Sequence, residues 1–94
     1  MNVTIGRIVR YRLSADDVAR LMSRPRTGNF HEVGQEVPLI VVVVWPNEFG
    51  PNYAGVNGQA ILDGNDTLWI TSAKEGTEPG TWAWPERVAE PMTP

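Results

Sequence analysis

The stretch that decides the fold is VNGQAILDGNDTLWITS, residues 56–72. Two apolar segments, Val56 to Leu62 and Leu68 to Ser72, flank residues 63–67, which contain an Asp-Gly pair. An Asp-Gly pair between apolar segments is a strong signal for a β-hairpin. We therefore predict two antiparallel strands joined by a turn over residues 63–67.

The residue types that carry most enzyme chemistry are scarce. Asp63 and Asp66 could be metal ligands or an acid–base pair, but Asp in a turn bonds its own backbone, and no glutamate follows at calcium-loop spacing. The chain has no cysteine and one histidine, His31, which we predict to lie on the surface in a loop over residues 25–38. No glycine-rich segment follows a strand and opens a helix, as a phosphate loop requires. We expect no catalytic residue, no bound metal and no cofactor.

Three further strands are predicted around the hairpin: Thr4 to Leu13, Leu39 to Trp45 and Thr81 to Trp84. Ile5 is expected on the apolar face of the first strand. The valine-rich strand does not alternate between apolar and polar residues, which predicts that both of its faces are covered. We expect a helix to cover one face, and barrel closure or a second subunit to cover the other.

The helix is predicted to begin after Ser14, a good N-cap, with Asp17 in the capping-box position. Pro25 would end it, because the residue before a proline avoids helical angles. A stripe at helical spacing is expected to face the core: Val18, Leu21 and Met22.

Together these elements predict a single α+β domain over residues 1–94: a small, strongly bent, barrel-like antiparallel sheet with one helix after the first strand. Residues 88–94 are expected to form a frayed tail. The first residues do not resemble a signal peptide, and no apolar run is long enough to span a membrane. We therefore expect a soluble cytoplasmic protein.

The charges are unevenly distributed along the chain. Residues 1–26 carry six arginines against two aspartates, and the remainder carries two basic residues against nine carboxylates. Either the basic segment neutralises the acidic sheet, within a protomer or between protomers, or it binds an anion, for which the planar guanidinium fork is well suited. The net charge of −3 argues against nucleic acid, which requires several phosphate contacts, and favours a small phosphorylated ligand.

Four tryptophans in so short a chain either build the core or line a binding site. An aromatic ring can stack on a nucleotide base while a guanidinium group holds its phosphate, so we expect the two groups to converge in one recess. The candidates for phosphate contacts are Arg10, Arg12, Arg24 and Arg26. The candidates for base stacking are Tyr53, Trp69 and Trp82, and those for polar recognition are Asn57 and Ser72.

Motifs along nearly the whole chain resemble a family of small actinobacteriophage and prophage proteins. They are GRIVRY (residues 6–11), the valine strand ending in Trp45-Pro46, VNGQ (56–59), LDGNDTLW (62–69) and GTWAWPE (80–86). The resemblance implies a phage-encoded protein. Family members usually carry histidine where this chain has Ala83, so no role of that histidine transfers to this chain.

A second similarity is to phage anti-defence proteins that act as sponges; the matching positions are Asp63-Gly64, Trp69, Ser72 and Trp82. Sponges are small homo-oligomers that sequester nucleotide signals of bacterial immunity without cleaving them. The similarity implies non-enzymatic sequestration of a small anionic nucleotide-type ligand by a homo-oligomer in the host cytoplasm. The alternative is a small β-barrel protein–protein interaction module whose loops and exposed aromatics bind a host protein.

Overall fold

The structure is a computed structural model that describes residues 2–24, 31–51, 53–64 and 66–86. In chain order, the elements of these residues are β1 (Ile8–Arg12), α1 (Ala15–Met22), β2 (Glu36–Trp45), β3 (Gly55–Ile61), β4 (Thr67–Lys74) and β5 (Trp82–Ala83). The strands form one antiparallel sheet in the order β4-β3-β2-β1-β5, curled into a half-barrel. The predicted bent antiparallel sheet with one helix is confirmed in this broad outline, and the molecule is mostly β.

The predicted hairpin is formed by β3 and β4. Ala60 pairs with Leu68, and Ile61 pairs with Thr67 at the closed end of the hairpin. The backbone N–H of Leu62 donates to the carbonyl oxygen of Asp66 at 3.0 Å, which closes the turn. The hairpin therefore has the position that the Asp-Gly signal predicts, although β4 continues to Lys74, two residues beyond its predicted end.

The central strand β2 corrects one prediction. It begins at Glu36, so it includes the end of the predicted loop, and its side chains alternate between buried and exposed up to Val42. Ile40 and Val42 are 36% and 42% exposed, so the half-barrel does not cover this face of β2 and the prediction of barrel closure is wrong, while cover by a second subunit stays a prediction. The outward side chains near the middle of β2 are themselves apolar, which removes the alternation from the sequence but not from the strand.

Three further expectations about burial are also wrong. Ile5 is 72% exposed, because Gly6, with a φ of 90°, places residues 4–7 in a turn and β1 begins only at Ile8. His31 is 2% exposed and lies in the interior rather than on the surface. Met22, the last residue of α1, is 64% exposed, so the core-facing stripe of the helix is narrower than predicted.

Two bulges meet at Asn57 in β3. On one side, Val41 pairs with Gly58 and Val43 with Asn57, so Val42 is an extra residue in β2. On the other side, Gly58 pairs with Ile70 and Val56 with Ala73, so β4 also carries an extra residue opposite Asn57. Bulges bend a strand and increase its twist. The two bulges flank Asn57 of β3 on both sides, which favours a bend of the sheet at this residue.

The bulge in β4 is held by a side chain. Ser72 has a φ of 51°, in the left-handed region that residues other than glycine rarely adopt. Its backbone N–H donates to Oδ1 of Asn57 at 2.7 Å, which satisfies a donor that the regular ladder would have used. The side chain of Asn57 thus replaces a missing backbone partner.

A buried carboxylate ties α1 to β1. Ser14 and Asp17 form the predicted capping box, in which Ser14 Oγ accepts from the Asp17 N–H at 3.0 Å and Asp17 Oδ2 accepts from the Ser14 N–H at 2.9 Å. The Tyr11 hydroxyl also donates to Asp17 Oδ2, and Arg20 Nη2 donates to Oδ1 at 2.9 Å. Burial alone would raise the pKa of Asp17, but these hydrogen bonds together lower it below its ordinary value. Burial and the contact with Asp17 raise the pKa of Tyr11.

The Asp17→Asn substitution tests this network. We expect it to lower the free energy of unfolding at neutral pH by about 2 kcal/mol, because hydrogen bonds to a charged acceptor become bonds to a neutral one. The Asp17 pKa is lower in the folded state than its ordinary value of 3.8, so its contribution is complete above that value and is lost as the pH falls through the lowered pKa. Denaturant titrations should therefore show the two proteins converging in acid.

The matched control is Asp16→Asn. Asp16 is 86% exposed and lies 3.7 Å from Arg20, so its loss should change stability little. The stabilising role of the Asp17 carboxylate would be contradicted if Asp17→Asn lowered the free energy of unfolding as much in acid as at neutral pH. An equal decrease for Asp16→Asn would contradict it as well.

A second prediction concerns the two glycines of β3. A Cβ at Gly58 would overlap the backbone carbonyl of Ile40, so β2 approaches β3 closely only because Gly58 has no side chain. We expect Gly58→Ala to lower the free energy of unfolding by about 1–3 kcal/mol, as overpacking does. Gly55→Ala is the control: its Cβ would meet only the ends of the Glu48 and Phe49 side chains, which can rotate away. If thermal or denaturant unfolding shows the same loss of stability for Gly58→Ala and Gly55→Ala, the close approach of β2 to β3 at Gly58 is not what stabilises the fold.

Candidate ligand recess at the loop end of the sheet

The two arginines predicted for phosphate contacts on β1 lie on the outer face of the sheet. Arg10 and Arg12 both interact with Glu36 on β2, at 3.7 and 2.7 Å between nitrogen and carboxylate oxygen. This arrangement corresponds to the alternative in which the basic segment neutralises acidic residues of its own sheet.

The other predicted residues lie in different parts of the molecule. Arg24 Nη1 lies 3.6 Å from Asp66, and Arg26 is outside the described residues. Asn57 and Ser72 contact each other at the bulge, where Asn57 uses its side-chain oxygen to hold the backbone. Tyr53 is 66% exposed in the segment between β2 and β3.

The predicted tryptophans do not meet the arginines in one recess. Trp69 lies on β4, is 41% exposed and shares a row with Gln59 and Ile40 on the outer face, three strands away from the arginines of β1. Trp82 is 2% exposed and packs inward from β5 beside Tyr11. Among the described residues, the predicted arginines and tryptophans therefore do not converge in one recess.

A different recess brings two of the predicted aromatics close to polar groups. One cavity of about 300 Å³ lies at the end of the sheet where β2 leads into β3; its lining is Asn2, Val3, Val44, Pro46, Asn47, Ala54, Glu75 and Trp82. A second cavity of about 310 Å³ is lined by Phe49, Tyr53, Ala54, Lys74 and Glu75. The two share Ala54 and Glu75, so we treat them as one site, the loop-end recess.

The local sequence explains how the walls of the loop-end recess come together. Gly55 has no Cβ, which leaves room for the Glu48 and Phe49 side chains of the preceding loop. Lys74 pairs with Gly55, and Glu75 bridges to Trp82, where the Gly76 N–H donates to the Trp82 carbonyl at 2.9 Å. The extra residue in β4 sets this register, so the bulge determines that Lys74 and Glu75 reach the recess.

Trp82 has the most unusual environment in the recess. Its ring packs edge-to-face against Trp84 with centroids 5.4 Å apart, and the Arg7 guanidinium lies 5.3 Å above the Trp84 ring. Its indole Nε1 is buried and has no hydrogen-bond partner among the described residues. A buried donor without a partner costs about 1–3 kcal/mol. Trp82 lines the cavity, but its Nε1 atom is shielded from solvent.

The outer face of the sheet is the second surface with functional potential. Ile8, Ile40 and Trp69 lie in one row across the sheet, with Gln59 between the last two. The exposed apolar side chains of this face are Ile8, Ile40, Val42, Ile61 and Trp69. Contiguous apolar patches on a small domain mark sites of association.

Sequence reasoning did not identify Lys74 and Glu75, and the predicted arginines within the described residues do not line the recess. Lys74 and Glu75 follow the predicted end of the second hairpin strand at Ser72, and a bulge that extends a strand has no clear sequence signal. In the segment between β2 and β3, Phe49 and Tyr53 are 42% and 66% exposed.

Comparison of the chain with protein-family models, curated proteins and solved structures gives no match. Within the described ranges, no group of three or more His, Cys, Asp or Glu side chains could hold a metal ion. No helix in the same ranges has the length and apolar character needed to cross a bilayer.

Proposed function

We propose that this chain is a phage-encoded, non-enzymatic binding protein that sequesters a small nucleotide-type immune signal in the host cytoplasm. In this proposal the ligand occupies the loop-end recess, and the protein acts as a homo-oligomer. Sequestration needs affinity and abundance, and no bond of the ligand has to be broken.

The observation that carries the proposal is the composition of the loop-end recess. Two exposed aromatic residues, Phe49 and Tyr53, line one cavity together with Lys74, and Trp82 lines the adjoining cavity. Aromatic rings stack on bases, and a lysine ammonium neutralises phosphate as a point charge. The cavity volumes of about 300 and 310 Å³ are in the range of small-ligand sites.

In this arrangement Lys74 makes the phosphate contact that was predicted for arginines. Arg10 and Arg12 share a carboxylate partner on the outer face, away from the recess, and each would lose that partner to bind a phosphate. Lys74 lines the recess and forms no ion pair with any residue in the described ranges.

The homo-oligomer is supported by the outer face. In the row across four strands, three side chains are apolar and partly exposed, and exposed apolar patches mark sites of association. Association of two copies through this face would cover it and leave the loop-end recess open, because the recess lies at the end of the sheet.

Calorimetry with a panel of cyclic dinucleotides and ADP-ribose-type molecules tests the ligand proposal. We expect at least one to bind, and Tyr53→Ala to weaken it roughly five- to one-hundredfold, since a stacked base contributes about 1–3 kcal/mol. Lys74→Gln should weaken the same ligand and reduce the dependence of its affinity on salt.

The contrasting variant is the double substitution Arg10→Gln and Arg12→Gln. It removes the outer-face cations without touching the recess, so affinity should remain within about twofold of wild type. If the double variant loses nucleotide binding while Tyr53→Ala keeps it, the binding site lies on the outer face and not in the loop-end recess. Absence of heat with every nucleotide would refute the proposal.

The second candidate function is a protein–protein interaction module for a host protein, and the apolar outer face is the observation that favours it. The double variant Ile8→Thr and Ile40→Thr tests whether this face joins two copies of the chain or binds a host protein. Threonine is chosen because it keeps the β-branched shape and removes apolar surface. If the face joins copies of the chain, sedimentation should show an oligomer for wild type and a monomer for the variant.

The matched control is Ile5→Thr, which makes the same change at a residue that is 72% exposed and outside the sheet. It should leave the oligomer intact. A monomeric wild type that loses a purified host partner upon the Ile8 and Ile40 substitutions would favour the second candidate instead.

A further inference from the structure

The asparagine at the bulge, Asn57, stands directly before Gly58, and no other asparagine of the chain precedes a glycine. Such a pair can react with itself: the glycine nitrogen attacks the side-chain carbonyl carbon of the asparagine, and the amide leaves as ammonia. Glycine favours this reaction because it has no side chain to hinder the approach and its backbone is conformationally free. Asparagine is for this reason a thermolabile residue.

The Asn57 side chain is held by β4 in the folded sheet. Its Oδ1 atom accepts from the Ser72 N–H at 2.7 Å, and Ser72 has a φ of 51°, which residues other than glycine rarely adopt. A side chain that is fixed to the neighbouring strand must leave it before it can close a ring with the next nitrogen of its own strand. The reaction at Asn57 therefore requires that this hydrogen bond break.

The nitrogen of Gly58 is held by the same strand. The Leu62 N–H donates to the Asp66 carbonyl oxygen at 3.0 Å, and hydrogen-bonded pairs recur at every second position of an antiparallel ladder. The register therefore makes Gly58 and Ile70 a hydrogen-bonded pair, in which the Gly58 N–H donates to β4. Both reacting groups become free only when β3 and β4 separate.

We propose that Asn57–Gly58 is a site of spontaneous covalent modification that reacts only when β3 and β4 separate locally. In this step a bond forms between the Gly58 nitrogen and Cγ of Asn57, the Cγ–Nδ2 bond breaks, and the proton of the Gly58 nitrogen leaves with the amide as ammonia. Water then opens the cyclic imide at either carbonyl. One product is aspartate, and the other is isoaspartate, in which the backbone runs through the former side chain.

The two products have different effects on the fold. An aspartate at residue 57 keeps a side-chain oxygen for the Ser72 N–H, so the bulge can form again. An isoaspartate adds one carbon to the backbone of β3 and shortens the side chain by the same carbon, so its carboxylate no longer reaches Ser72. The bulge that brings Lys74 and Glu75 to the loop-end recess is then lost. Isoaspartate formation therefore removes the recess from a chain that has opened.

The experiment follows residue 57 of the full chain by peptide mass spectrometry at mildly alkaline pH, in buffer and in concentrated urea. The peptide gains mass when the amide becomes a carboxyl group, and fragmentation distinguishes isoaspartate from aspartate. We expect the folded chain to react at least roughly thirtyfold more slowly than the unfolded chain. The reason is that a slow reaction of the open form follows the population of that form.

Two substitutions at Ser72 change the opening of the bulge without altering the reacting pair. Ser72→Val places a β-branched residue at a φ of 51° and should speed the reaction in buffer about three- to tenfold. Ser72→Gly relieves the backbone strain and should slow the reaction by a similar factor. The matched control is Thr71→Val, a similar exchange at the preceding residue of β4, whose φ is not positive. It should leave the rate within about twofold of wild type.

The inference would be overturned by equal rates in buffer and urea, or by a rate in buffer that neither Ser72 substitution changes. The same acceleration in Thr71→Val would overturn it as well. If circular dichroism shows that Ser72→Val does not fold, the rate of Ser72→Gly decides.

The variant Asn57→Asp tests the effect of the modification on the fold. It should unfold close to the wild-type temperature, whereas the isoaspartate form, isolated from aged protein, should unfold at a lower temperature. An isoaspartate form as stable as the wild type would contradict the loss of the bulge.

Discussion

The hydrogen bond between the Asn57 side chain and the Ser72 backbone is the constraint on which the rest of the structure depends. It holds an extra residue in β4 at a φ of 51°, opposite a second extra residue in β2. A one-residue shift exchanges the two faces of a strand. After the bulge, Ala73 is buried and Lys74 pairs with Gly55, which positions the lining of the loop-end recess.

The same curl separates the two faces of the sheet. The inner face forms the core together with α1, which the buried Asp17 joins to Tyr11 on β1. The outer face carries an apolar row and the pairs of Arg10 and Arg12 with Glu36. Association through the outer face and ligand capture at the end of the sheet would use different surfaces, so the two proposed properties are physically compatible.

Part of this fold can be predicted from the sequence because it depends on interactions between residues that are close along the chain. The Asp-Gly turn predicts the hairpin, and Ser14 with Asp17 predicts the start of the helix. The exposure of β2 could not be predicted in this way: the valine-rich segment is apolar on both faces, so the pattern does not show which side faces water. The burial of His31 likewise depends on tertiary packing and has no local signal.

The residues that line the recess were predicted less completely than the fold, for a specific reason. Arginines and tryptophans were chosen by residue type, and residue type does not say which strand neighbours which, or which charges are neutralised by a carboxylate on the adjacent strand. Arg10 and Arg12 meet Glu36 only because β1 pairs with β2 in a particular register. Tyr53 and Trp82 do line the recess, but Lys74 and Glu75 reach it through a bulge that the sequence does not reveal.

The most direct test of the account is the ¹³C–¹H spectrum of the aromatic side chains during addition of the nucleotide that binds most tightly in calorimetry. The Tyr53 ring resonances, assigned through Tyr53→Ala, should move as the ring stacks on the base, while those of Trp69 on the outer face change little. Unmoved Tyr53 resonances at saturating nucleotide, or a change confined to Trp69, would contradict ligand capture in the loop-end recess.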